Sequence, residues 1–222
     1  MTSTELGTGA REREVSVKGK GAHLVGILAV PEAAQGVVLF AHGSGSGRFS
    51  PRNNYVARVL QEGGLGTLLI DLLEAWEADD RSKVFDIDLL AERLLLATGW
   101  LRQEPETRDL RIGYFGASTG AAAALQAAAE EGDRIAAVVS RGGRPDLALP
   151  YLARVTAPVL LIVGGDDTPV IPLNEQAYAA LPGVKELVII PGATHLFEEP
   201  GKLAEVARLA RDWFQRHLTQ GG

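Results

Sequence analysis

Apolar residues in this chain fall into two recurring patterns. Short continuous runs at 37–41, 68–70, 112–115, 135–139 and 158–163 have the length and uniform hydrophobicity of strands buried on both faces. Between them lie stretches with helical spacing: about 53–62, stopped by Gly63-Gly64; 86–103, with Leu89, Leu90, Leu94 and Leu95 on the core side; 119–131; a short helix at 146–154; 173–181; and a long amphipathic helix at 201–218. Alternation at 13–18 and the apolar stretch 22–30, ended by Pro31, predict an antiparallel pair at a sheet edge. A further strand is expected at 186–190. The mixed charges of 72–85 predict a long loop, and the polar first dozen residues predict a loose segment over 1–12, which leaves 13–222 as one domain. An entry hairpin followed by alternating strands and helices specifies an α/β fold: a mostly parallel sheet of about seven to eight strands with helices on both faces. Chemistry in such sheets gathers at the carboxyl ends of the strands.

One of these strand ends stands out. Gly116-Ala117-Ser118-Thr119-Gly120 follows the run 112–115 and opens the helix at 119. Glycines two residues either side of a serine, between a strand and a helix, form the G-x-S-x-G pattern of a tight turn that lifts a serine hydroxyl above the sheet. Ser118 is the only serine so flanked. A serine hydroxyl needs a base to take its proton, and the chain has four histidines. His23 falls in the entry hairpin, His217 in the last turns of the final helix, and His42 in a position to shape the following glycine loop. His195, after the last strand in Pro191-Gly192-Ala193-Thr194-His195, is the candidate base. The third member should be a carboxylate that fixes the imidazole tautomer. Asp166 and Asp167 both end the strand 158–163; Asp167 is favoured because it begins the run Asp167-Thr168-Pro169-Val170, while Asp166 could cap the turn. Asp71 also ends a strand but precedes the nucleophile.

An oxyanion needs backbone donors, each worth about 3 to 4 kcal/mol. Thr119 N–H is one candidate and Ser44 N–H, in His42-Gly43-Ser44, the other, with Gly45 the alternative. The same loop does not fit a phosphate cradle: a dinucleotide fingerprint needs glycine where Arg48 stands, and a P-loop needs a Gly-Lys-Ser/Thr ending. Arg141 and Arg144, after the strand 135–139, are candidates to hold a substrate carboxylate, although Arg144 could equally pair with Asp146. Trp76, Phe49 and Phe197 are candidate pocket walls.

Composition narrows the function classes. A formal charge of −6 with scattered basic residues argues against nucleic-acid binding. No apolar run approaches the length of a membrane helix, and the N-terminus lacks the plan of a secretory signal, so a cytoplasmic protein without membrane association is expected. With no cysteine there is neither a thiolate nucleophile nor a thiolate metal site.

Together, the segments 42–48, 116–120, 140–146, 164–170 and 192–195 resemble the α/β-hydrolase superfamily, and within it the dienelactone hydrolase-like branch, over most of the chain from Val37 onward. The resemblance implies ester or lactone hydrolysis without a cofactor or metal. Prototype members use a cysteine where Ser118 stands and a glutamate near Gly43; neither is present, which points to a serine carboxylesterase. No room exists between strands for a large cap domain, so small to moderate esters are the expected substrates. The enzyme is expected as a monomer or homodimer. Its activity on short p-nitrophenyl esters should rise with pH as a histidine loses its proton. An acyltransferase with the same triad and a binding module without turnover are the alternatives.

Overall fold

The computed structural model describes residues 10–219. Eight strands form one sheet in the order β1-β2-β4-β3-β5-β6-β7-β8. Strands β1 (Arg11–Gly19) and β2 (Ala22–Val30) make the entry hairpin, with Lys20 and Gly21 turning through positive φ, and β2 pairs antiparallel with β4 (Gly66–Ile70). All remaining pairings are parallel: β3 (Gly36–Ala41) with β4 and with β5 (Arg111–Ala117), then β6 (Ile135–Arg141), β7 (Val159–Gly164) and the edge strand β8 (Lys185–Ile190). Every residue of β3, β4, β6 and β7 is buried, which is why their sequences run apolar without alternation.

Helices cover both faces. On one side α1 (Pro51–Glu62) and α8 (Lys202–Leu218) bury Val56, Ala57, Leu60, Val206, Ala210, Trp213 and Phe214 against the sheet. On the other, α4 (Ile87–Leu101) and α5 (Thr119–Glu131) pack with α6 (Leu149–Leu152) and α7 (Ile171–Ala180) over a core that includes Leu90, Leu94 and Leu125. Helix α5 is buried all round from Thr119 to Ala129, and its alanines are what let it lie so close to the sheet. Among the described residues no helix is long and apolar enough to cross a membrane.

Several boundaries differ from the sequence expectation. Residues 1–9 of the expected loose segment lie outside the described residues, and Arg11 and Glu12 belong to β1, paired with Val30 and Ala29. The stretch 72–85 is not a plain loop: it holds two single-turn helices, α2 (Ala75–Ala78) and α3 (Arg81–Val84). Glu74 and Glu77 cap α2 reciprocally and Asp80 caps α3 through Ser82 N–H, local bonds that need no apolar periodicity. Helix α1 starts at Pro51 rather than Asn53, because Ser50 is the cap that accepts from Asn53 N–H and proline suits the first helical position. The expected helix 146–154 is a 3-10 turn (Pro145–Ala148) followed by the single-turn α6.

On either side of β3 the chain winds in opposite directions, to β4 and to β5. This places the switch point, where α/β sheets open a crevice, at the carboxyl ends of β3 and β5. Gly43 and Ser118 follow those ends.

Candidate active site

Ser118 sits between β5 and α5 with φ 52° and ψ −123°, a conformation that side-chain-bearing residues adopt at a cost of about 1–3 kcal/mol. The turn is held from both sides: Ser118 N–H donates to Arg141 O (3.3 Å), and Ser118 O accepts from Arg144 N–H (3.0 Å) and Ala121 N–H (3.1 Å). The flanking glycines are required by close approach. A Cβ on Gly116 would lie 2.4 Å from Ala121 Cα, and one on Gly120 only 2.1 Å from Ala41 O. The serine side chain is partly exposed and its hydroxyl has no hydrogen-bond partner among the described residues.

His195 and Asp167 are brought together. Asp167, just past β7, accepts at Oδ2 from Nδ1 of His195 at 2.7 Å. Because a carboxylate only accepts, Nδ1 carries the ring proton and Nε2 presents a lone pair. Asp166 is exposed, whereas the Asp167 side chain is 10% exposed, so of the two adjacent carboxylates it is Asp167, the one favoured from the sequence, that bonds the His195 ring. The histidine loop is shaped by Glu199, which accepts from Thr194 N–H (3.1 Å) and Thr194 Oγ1 (2.5 Å). These bonds hold the Glu199 carboxyl below its ordinary pKa. Gly142 joins the two halves of the site: its neighbour Arg141 bonds the Ser118 turn, and a Cβ built on Gly142 would stand 3.6 Å from His195 Cε1.

The loop after β3 closes the third side. A Cβ on Gly43 would lie 2.9 Å from Ser118 Cβ, so only glycine lets this loop pass the serine. Ser44 N–H and Thr119 N–H have no acceptor among the described residues. His42 does shape this loop: its Nε2 accepts from Leu72 N–H (2.9 Å) and its Nδ1 donates to Gly43 O (3.0 Å). Burial pushes the His42 pKa down, with Gly43 O and Asp71 opposing. Asp71 has a role that sequence reading missed. Its carboxylate receives the Arg48 backbone N–H at 2.6 Å and pairs with the Arg48 guanidinium, tying the glycine loop to the end of β4. The available signal was an aspartate at a strand end with no triad role.

A cleft of about 860 Å³ opens beside this loop, lined by Gly43, Ser44, Phe49, Leu73, Glu74 and others, within the volume range of small-molecule sites. Ser118 is not part of its wall; Gly43 lies against both. Of the proposed pocket residues, Phe49 lines the cleft, whereas Trp76 is 63% exposed outside it with Lys83 Nζ 3.8 Å over its ring. Phe197 is 1% exposed and packs in the core beneath Gly142, at φ 56°. Arg144 is engaged by both oxygens of Asp146 at 2.9 and 2.8 Å. Arg141 has no acidic partner among the described residues.

A family model described as the dienelactone hydrolase family matches residues 74–219, more than half of the chain. A protein of Mycobacterium tuberculosis H37Rv, provisionally named phosphoribosyl transferase, is 57% identical over 212 residues, covering 96% of this chain and 48% of its own length. The chain thus spans about half the length of the curated relatives it matches. Among solved structures, dienelactone hydrolase from Anabaena variabilis superposes with a TM-score of 0.92 at 58% identity, covering 95% of this chain and 99% of that one. Est1E from Butyrivibrio proteoclasticus shares the fold, with a TM-score of 0.77 at 16% identity over 91% of this chain and 98% of its own.

Proposed function

Because the chain belongs to the dienelactone hydrolase family, we propose that it is a serine hydrolase that cleaves carboxylic esters or lactones of small to moderate size. The observation that carries this reading is the 2.7 Å bond that orients His195 from Asp167, on loops that converge on the strained Ser118 turn. His195 Nε2 takes the proton of Ser118 as Oγ attacks the ester carbonyl. The C–O π electrons move onto oxygen, where the N–H groups of Ser44 and Thr119 receive the negative charge. Collapse expels the alkoxide, which takes the proton from His195 and leaves an acyl-Ser118. Water, deprotonated by the same nitrogen, then releases the acid and restores the serine. The unpaired Ser118 hydroxyl is compatible with this sequence, since catalytic hydrogen bonds often tighten only with substrate bound.

All the groups invoked belong to the chain, and no cofactor enters the scheme. The transferase name belongs to a relative of which this chain matches 48%, and the residues assembled around Ser118 suit acyl transfer to water. A cytoplasmic location and a monomer or homodimer complete the reading; cell fractionation and sedimentation test them. A panel of p-nitrophenyl esters of increasing acyl length tests the chemistry: turnover should favour short chains and vanish in Ser118→Ala. Undiminished turnover in that variant would sink the assignment.

A further inference from the structure

The loop 42–48 carries Ser44 N–H, the donor assigned to the oxyanion, yet little holds its tip. Ser44, Gly45 and Ser46 are exposed, and Gly45 stands at φ 66° with nothing within 4 Å of an added Cβ. The one backbone bond made inside 43–47 among the described residues is Ser46 N–H to Gly43 O, at 3.3 Å. The tip is therefore placed by its two ends, and consecutive residues after β4 grip both. Leu72 N–H donates to the His42 ring at the entry. At the exit, Asp71 Oδ1 accepts Arg48 N–H at 2.6 Å and Oδ2 pairs with the Arg48 guanidinium. The carboxylate also lies close against the preceding residue, since a Cβ on Gly47 would fall 2.6 Å from Oδ1. Asp71 is itself anchored, its N–H donating to Val25 O on β2 at 2.9 Å, and Arg48 O accepts from Asn54 Nδ2 on α1 at 2.9 Å. Glu14 stands farther off, 3.7 Å from the guanidinium, and is exposed, which makes Asp71 the acid that holds the arginine. With 25% of the Asp71 side chain and 19% of the Arg48 side chain exposed, the pair is stronger than one in open solvent.

We propose that Asp71 is a positioning residue for ester hydrolysis: through Arg48 it fixes the loop that presents Ser44 N–H to the oxyanion, without touching substrate itself. The inference rests on the serine hydrolase reading. A carboxylate suits the task because it only accepts, and here it receives two donors of one residue. An asparagine of the same shape would turn an NH2 toward one of them. An oxyanion donor works within about 2.7–3.1 Å of the charge, and a displacement of about 1 Å can cost about 10²-fold in rate. The charge develops in the transition state, so a loosened loop lowers kcat and leaves KM nearly alone. Two other roles for Asp71 make different demands. As a wall of the cleft, which it and Arg48 both line, it would act on KM. As a carboxylate for His195 it would move the pH dependence, but Asp167 already holds that ring.

Steady-state kinetics on a short p-nitrophenyl ester, with inhibition by an aryl trifluoromethyl ketone, test the proposal. Ser118 Oγ adds to the ketone carbonyl and leaves a charged oxygen where the oxyanion would sit, so the inhibition constant reads the donors directly. Asp71→Asn should lower kcat by about 10- to 100-fold with KM within about threefold, weaken the ketone by a similar factor, and keep the midpoint of the pH profile. Arg48→Met, which retains the backbone N–H, should lose less, about three- to tenfold in kcat, and Arg48→Lys should recover most of that. Should Asp71→Asn fail to fold, Arg48→Met and Arg48→Lys carry both measurements. A kcat within about threefold of wild type in Asp71→Asn, a loss confined to KM, a displaced pH midpoint, or ketone inhibition unchanged while kcat falls would overturn the proposal. An ester panel that the wild-type protein leaves uncleaved sinks the hydrolase reading and the positioning role with it; wild-type turnover that is indifferent to Asp71 sinks the positioning role alone.

Discussion

Asp167 holds His195 at Nδ1 from a distance of 2.7 Å, across 28 positions of sequence and from the end of a neighbouring strand. The bond fixes the tautomer that leaves Nε2 free to accept a proton. Asp167→Asn keeps the shape and reverses the preference, since an amide can donate to Nδ1. With the base in the wrong tautomer, kcat should fall by about 10⁴ and KM should change little. Asp166→Asn should remain within about threefold of wild type, because that side chain is exposed and unbonded to the ring. Steady-state kinetics on one short ester checks both.

The glycines of the serine turn make a stability prediction. Gly120→Ala would drive a methyl group to 2.1 Å from Ala41 O, and neither strand β3 nor helix α5 can give way in a packed core. A loss of about 3 kcal/mol or failure to fold is expected, at the upper end of overpacking costs. Gly99→Ala is the control, as nothing lies within 4 Å of its added carbon. Urea unfolding of the two variants measures the difference.

Ser118 itself stores strain. Ser118→Gly removes the side chain from a positive φ of 52°, so the variant should be inactive yet more stable than wild type by about 1 kcal/mol. A melting temperature at or below the wild-type value would contradict the strain.

His42 predicts an acid-sensitive fold. Its pKa is depressed in the folded state by burial, so between the folded and unfolded values the unfolded chain binds more protons. Stability from this group is therefore complete above its ordinary pKa, near 6.5, and is lost as pH falls below that value toward the depressed one. Protonation would also break the bond that Nε2 accepts from Leu72 N–H. Unfolding free energy measured from pH 7.5 to 5 should drop in wild type and be flatter in His42→Gln, even though the variant starts less stable. Equal slopes would mean that His42 is not the source of the acid sensitivity.

Much of this was legible in the sequence because it is enforced locally. The buried strands announce themselves as unbroken apolar runs, and the Ser118 turn by glycines that steric contact requires at both flanks. His195 follows from elimination among four histidines. What escaped lies in longer-range or purely polar relations. Helices α2 and α3 are one turn each and rest on caps at Glu74, Glu77 and Asp80, so no hydrophobic period marks them. Arg141 and Asn53 share a hydrogen bond across 88 positions, and sequence offered no means of seeing that the arginine is buried without an acid. Trp76 and Phe197 show the reverse error: large aromatics suggest a pocket wall, yet one faces solvent and the other fills the core.

Covalent labelling of the intact protein with a fluorophosphonate, followed by peptide mass spectrometry, tests most directly whether Ser118 is the nucleophile. A single adduct on Ser118 is expected, formed in step with loss of esterase activity and greatly slowed in His195→Gln. An unlabelled Ser118 in protein that still hydrolyses esters would contradict it.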